Sequence, residues 1–205
     1  MKVHFNIFSF LLLIVFTYQS GFAQEKEELS IGSEIPFADF KMTDVSGKEL
    51  SLNDVKQENG LLVIFSCNTC PYVKAWESRY LKVADLANSQ KIGLIALNPN
   101  EAMRSDKESL EEMIKISTSM KYTFPYAVDK NHVLADAFGA TKTPHVYLFD
   151  KTNKLVFVGS IDDNSAKEAE VKHTFLMDAL KEVGSGKAVS VKHSKALGCS
   201  IKRVK

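Results

Sequence analysis

Two uninterrupted apolar runs organise the chain. Leu61-Leu62-Val63-Ile64-Phe65 and Ile92-Gly93-Leu94-Ile95-Ala96-Leu97 lack the polar alternation of a half-exposed strand, and short runs of this kind predict strands buried on both faces. Between them Val73, Trp76, Tyr80, Leu81, Ala84 and Ala87 recur at helical spacing behind Pro71. Proline is tolerated in a first helical turn, where its missing N–H costs nothing, so residues 67–70 stand at a strand-to-helix junction. Upstream, residues 37–42 and 49–52 with Ser46-Gly47 between them predict a short hairpin. Downstream of the Asn98-Pro99-Asn100 turn, Leu110, Met113, Ile114 and Ser117 form the stripe of a helix over 106–120, with acids from Asp106 to Glu112 in its early turns. A short strand at 126–128 and a short helix at 133–138, stopped by Gly139, come next. A hairpin of 146–149 and 155–158 then turns at Lys151-Thr152-Asn153, followed by a helix over 167–183 that ends at Gly184-Ser185-Gly186. The order ββ, βαβα, ββα predicts an α/β domain with a central mixed sheet flanked by helices.

The first 23 residues follow another pattern. A short start containing Lys2, an apolar run over 5–16 and a polar stretch ending Gly21-Phe22-Ala23 have the form of a secretory signal cut after Ala23. The run is too short to span a bilayer, which takes about 20 apolar residues. The expectation is an exported, periplasmic or extracytoplasmic protein with a signal peptide at 1–23, one domain at 24–183, a Lys-rich flexible tail at 184–205, and no stable membrane insertion after cleavage.

Composition narrows the function. With 26 basic and 25 acidic residues in 205 and 45% apolar content, the chain is globular in type and nearly neutral. It lacks the positive field that gathers nucleic acid, so no nucleic-acid partner is expected.

Chemistry concentrates at Cys67-Asn68-Thr69-Cys70-Pro71. Two cysteines three apart at a helix N-terminus can close a small disulfide ring, and the helix end offers N–H groups and partial positive charge to a thiolate. A stabilised thiolate is both nucleophile and leaving group, which reversible thiol–disulfide exchange requires. A purely structural disulfide of this spacing restrains little chain. A zinc site needs further ligands, and the five histidines, at 4, 132, 145, 173 and 193, are scattered.

Together with Ile31-Gly32-Ser33-Glu34-Ile35-Pro36-Phe37, Gly47-Lys48-Glu49-Leu50-Ser51-Leu52, Thr143-Pro144 and Lys154 to Gly159, the cysteine string resembles the thioredoxin superfamily. Within it the chain is similar to the exported redoxins with peroxiredoxin-like features, of the alkyl hydroperoxide reductase and thiol-specific antioxidant type. The resemblance implies a thioredoxin fold with an N-terminal β-hairpin extension and Thr143-Pro144 as a cis-proline loop beside the cysteines. It also implies an oxidoreductase that exchanges disulfides with dithiol or disulfide-containing protein substrates and a redox partner protein, with no cofactor and no metal. In this reading Cys67 attacks, Cys70 resolves, and Thr143 and Pro144 bind the substrate chain.

The chain departs from the family in places. Ser66 replaces the usual Trp of thioredoxins, Asn68-Thr69 replaces Gly-Pro, and Leu61 stands where thioredoxins carry a buried Asp. The peroxiredoxin frame Pro-x-x-x-Thr/Ser-x-x-Cys, set on Cys70, meets Val63 and Cys67. A thiol peroxidase with an antioxidant role and a Sco-like copper chaperone are the alternatives, although Sco cysteines are spaced one residue wider. His145 is a candidate thiolate modulator or a solvated strand-end residue. Asp162-Asp163-Asn164 reads as a capping turn before Lys167 or a cation site. Cys199 is a candidate resolving thiol or an unpaired thiol prone to adventitious dimers. The 15 steps from Gly184 to Cys199 span at most about 50 Å, enough to bring it back to the pair.

Overall fold

The structure, a computed structural model, describes residues 27–204. The signal peptide expected at 1–23 lies outside the described residues. In chain order the elements are β1 (Met42–Thr43), β2 (Glu49–Leu50), α1 (Leu52–Val55), β3 (Gly60–Phe65), α2 (Pro71–Ser89), β4 (Ile92–Asn98), α3 (Leu110–Ser119), β5 (Tyr126–Val128), α4 (Val133–Ala137), β6 (Lys142–Thr143), β7 (His145–Asp150), β8 (Leu155–Gly159), α5 (Phe175–Gly184) and β9 (Cys199–Ser200).

Five strands make the central mixed sheet in the order β5-β4-β3-β7-β8. β3 runs antiparallel to β7 with Leu62 opposite Leu148, β7 antiparallel to β8, and β4 parallel to β5 with Ala96 opposite Tyr126. β4 lies beside β3, with Asn59 N–H donating to Lys91 O at one end (2.9 Å) and Ser66 N–H donating to Leu97 O at the other (2.8 Å). Successive side chains of a strand point to opposite faces. Leu62 and Ile64 therefore enter one core with Val73, Trp76 and Tyr80 of α2 and Leu176 and Leu180 of α5. Leu61, Val63 and Phe65 enter the other, against Leu134 and Phe138. Phe65, Phe138 and Tyr147 meet there edge to face, with ring centroids 5.2 to 5.7 Å apart. Both faces of β3 are thus covered, which is why its sequence shows no alternation. Among the described residues no helix is long and apolar enough to cross a membrane.

Four sequence expectations change. The hairpin is confined to β1 and β2, because Ser51 leaves the strand to cap α1: its hydroxyl accepts from Asp54 N–H while Asp54 accepts from Ser51 N–H at 2.8 Å, a reciprocal capping box. The helix expected from 106 begins at Leu110, with Ser109 as its cap, because the preceding residues turn to bring Glu108 inward. The helix expected from 167 is a single 3-10 turn at Glu168–Glu170 followed by α5. Residues 172–176 fold back on 161–163 instead: Lys172 N–H donates to the Asp163 carboxyl (3.0 Å) and Leu176 N–H to Ile161 O (3.1 Å).

The fourth change is the tail, which is packed rather than solvated. Val158 N–H donates to Lys192 O and Ser194 N–H to Val158 O, both at 3.0 Å. Val189, Ser194 and Ile201 are buried, and β9 pairs with β6. Val189 and Ile201 dock on the domain, while Val191, Val204, Lys187, Lys192, Lys195 and Lys202 are exposed.

Asp162 belongs to neither a cation site nor a surface cap. It accepts from Trp76 Nε1 at 2.8 Å and from Arg79 Nη1 at 2.5 Å, both buried, and so pins α2 to the loop after β8. Asn164 takes the capping role toward Lys167 N–H (3.0 Å). Removing one partner leaves a buried charge uncompensated. Asp162→Ala is expected to cost about 3–5 kcal/mol in urea unfolding, far more than loss of the exposed pair of Lys82 with Glu168, for which about 0–1 kcal/mol is expected.

Candidate redox site

β3 delivers the cysteine loop to the carboxyl edge of the sheet, and α2 leads away from it. Ser66 holds the exit: its N–H is fixed on Leu97 O, and its hydroxyl lies 3.1 Å from that of Tyr80. Cys70 is the residue before the first turn of α2, with extended backbone (φ −71°, ψ 124°) and Pro71 opening the helix. Its sulfur therefore faces the free N–H groups of that turn.

Across the loop, Thr143 precedes a cis peptide to Pro144. The Thr143 hydroxyl lies 3.1 Å from Cys67 Sγ, and its carbonyl 3.0 Å from Cys70 Sγ. Cys67, Cys70, Thr143 and Pro144 are therefore brought together. Cys199 joins them, its Sγ 2.7 Å from Cys70 Sγ, and all three cysteines are unbridged. His145 does not join them. It is buried with Nε2 3.0 Å from Glu28 Oε2 and Nδ1 3.2 Å from the Tyr147 hydroxyl. Its ring nitrogens thus serve the opposite core, and neither reading of it, thiolate modulator or solvated histidine, fits.

Sequence reasoning missed Glu108. Fully buried, it accepts from Asn68 N–H (2.8 Å), Thr69 N–H (3.2 Å), the Thr69 hydroxyl (2.6 Å) and the side-chain amides of Asn98 (2.8 Å) and Asn100 (3.3 Å). The Tyr126 hydroxyl closes the network by donating to Asn68 Oδ1 at 2.9 Å. In the sequence Glu108 is one acid among several at a helix start. The sole hint is the polar Asn-Pro-Asn turn ending an otherwise apolar strand.

These surroundings divide the charge unequally between the cysteines. The Cys70 thiolate receives the S–H of Cys67 first, then Cys199 S–H and the backbone N–H groups of Val73 and Cys199, against burial that opposes it; its pKa falls to about 5. The Thr143 carbonyl, 3.0 Å from the same sulfur, accepts from a protonated Cys70 and so opposes charge there. Cys67 is pushed up, first because it donates to Cys70, then by burial and the negative charge of Glu108. Cys199 is also raised, by burial and by donation to Cys70. These causes favour charge on Cys70 over Cys67 and Cys199.

Residues 31–158 match the model of the AhpC/TSA family. The thiol-disulfide oxidoreductase ResA of Bacillus thuringiensis is 27% identical over 168 residues, covering 76% of this chain and 88% of the relative. A hypothetical protein from Sinorhizobium meliloti superposes with a TM-score of 0.79 at 31% identity, covering 87% of this chain and 97% of that one. The peroxidoxin BcpB of Mycobacterium tuberculosis shares the fold, with a TM-score of 0.59 at 14% identity over 75% of this chain and 97% of its own. With the cysteine pair at the head of α2 and the cis-proline loop facing it, the chain belongs to the AhpC/TSA family, as a thioredoxin-like redoxin whose relatives include thiol–disulfide oxidoreductases.

Proposed function

We propose that the chain is an exported thiol–disulfide oxidoreductase whose redox couple is Cys67 and Cys70. The observation that carries this reading is the Cys67–Cys70 pair at the N-terminus of α2, opposite the cis peptide before Pro144, where helix N–H groups and neighbouring thiols favour a thiolate on Cys70. Such a thiolate attacks a substrate disulfide and forms a mixed disulfide; Cys67 then gives up its proton, attacks Cys70 and releases the substrate thiol. Donation to Cys70, burial and the charge of Glu108 all push Cys67 up, which supports Cys70 as the attacking sulfur, where the sequence reading put Cys67. Thr143 positions both sulfurs through its hydroxyl and carbonyl. Export rests on the pattern of residues 1–23, and mature protein from an exporting cell is expected to begin at Gln24 on N-terminal sequencing.

The activity test is reduction of insulin by dithiothreitol, followed by turbidity. The chain should accelerate it, and Cys67→Ser and Cys70→Ser should each return the rate to that without protein. Wild type indistinguishable from either variant would sink the reading. Hydrogen peroxide should oxidise the reduced protein no faster than free cysteine; a much faster reaction would favour the thiol peroxidase.

The thiolate gives a second check. A depressed pKa means that charge persists far below the ordinary thiol range of about 8.5. Thiolate absorbance at 240 nm in the reduced protein should therefore hold as pH falls from 8 to 6, then drop through an apparent value near 5. Stability follows with the same sign: the thiolate's contribution is present toward pH 8 and lost as pH falls through 5. The urea midpoint of the reduced form, measured against the oxidised form, should rise with pH across that window.

A further inference from the structure

The edge on which a substrate strand would pair is already taken by the chain itself. β9 lies antiparallel to β6 with Cys199 directly opposite Thr143, the residue before the cis-proline. An extended peptide recognised by this fold's open edge would use the same backbone groups, because strand addition takes its affinity from main-chain hydrogen bonds. Gly198 marks how closely the segment sits: a Cβ there would come within 2.3 Å of Thr143 O. The segment is also held beyond the cysteine, where Lys202 N–H donates to Asn100 Oδ1 (2.8 Å) and Arg203 Nε to Asp136 Oδ1 (2.8 Å).

The sulfur geometry repeats the pattern. Cys67 and Cys70 are 4% and 2% exposed, whereas Cys199 is half-buried and lies over them. Its Sγ is 2.7 Å from Cys70 Sγ, so a disulfide bond of about 2.05 Å needs only a small approach. Of the three thiols, it is the most exposed.

On the reading that Cys67 and Cys70 form the redox couple, we propose that Cys199 is its internal exchange partner, carrying the disulfide from the enclosed pair to the surface. In the oxidised chain, Cys199 gives up its proton and its sulfur attacks Cys70. The Cys70–Cys199 bond forms as the Cys67–Cys70 bond breaks, and the electron pair of the broken bond leaves with Cys67, which takes up a proton. The chain's oxidation level does not change. An external dithiol then attacks Cys199, and Cys70 departs as the stabilised thiolate. The partner's second thiol resolves the mixed disulfide, leaving the partner oxidised by two electrons and the chain with three thiols. The low-pKa Cys70 suits this release, since a more acidic thiol is the better leaving group.

The test uses the full chain with wild type, Cys67→Ser, Cys199→Ser and Gly198→Ala. Each is reduced, oxidised with glutathione disulfide, alkylated and mapped by mass spectrometry, with circular dichroism to confirm folding. Cys67→Ser should form an intramolecular Cys70–Cys199 disulfide, and wild type should show that bond alongside Cys67–Cys70. Gly198→Ala keeps all three thiols but forces the strand off Thr143, so it should yield Cys67–Cys70 alone. In the insulin assay Cys199→Ser and Gly198→Ala should turn over at least about fivefold more slowly than wild type. If Cys199→Ser misfolds, Cys199→Ala replaces it. No Cys70–Cys199 bond in folded Cys67→Ser, or Cys199→Ser at the wild-type rate, overturns the exchange while leaving the redox couple intact. A wild type that forms no Cys67–Cys70 disulfide and reduces no insulin overturns both.

Discussion

Glu108 is fully buried, and its two carboxyl oxygens collect donors from the cysteine loop and from the end of β4. A buried acid without partners is strongly unfavourable, and an acid with several donors is rigidly placed by them. The loop of Asn68 and Thr69 is therefore fixed by accepting groups supplied from across the sheet, not by its own short sequence. Asn100 extends the constraint, since its amide donates to Glu108 while its carbonyl accepts from Lys202 N–H. Cysteine loop, strand end and C-terminal segment are tied to one carboxyl group.

That constraint also sets the sign of the local electrostatics. A negative charge beside the loop disfavours a second one on Cys67, which burial already opposes. At Cys70 the same burial is opposed by the first turn of α2 and by thiols on two sides. More donors converge on Cys70 than on Cys67 or Cys199, which favours charge there. Helix N-terminus and acid act in concert, one attracting charge to Cys70 and the other keeping it from Cys67.

Much of this was legible in the sequence because it is written locally. The buried strand β3, Pro71 at the head of α2, the β7–β8 hairpin and the Cys67–Cys70 spacing each depend on residues close in the chain, and so does the Thr143-Pro144 step. The elements that escaped depend on distant partners. Phe175 rather than Lys167 begins the last helix because residues 172–176 find hydrogen bonds on 161–163. The tail reads as a solvated lysine-rich segment until Val189, Ser194 and Ile201 are seen to meet surfaces formed far upstream. Glu108 is hinted at only by the Asn98-Pro99-Asn100 turn, whose side-chain amides donate to it, and His145, adjacent to the cis-proline, points by strand alternation into the opposite core.

The placement of β9 resolves a conflict built into folds of this kind. An edge able to pair with a substrate strand is equally able to pair with any extended chain, and exposed edges invite association. Here Thr143 is covered by a two-residue strand whose register sets a cysteine opposite it. A strand this short forms few ladder bonds, so its position relies on Gly198 fitting against Thr143 and on the Lys202 and Arg203 anchors beyond it. Because Asn100 holds Lys202 and Glu108 together, the register of the covering strand and the geometry of the cysteine loop are one arrangement. A shift in either is felt at the sulfur they share, Cys70.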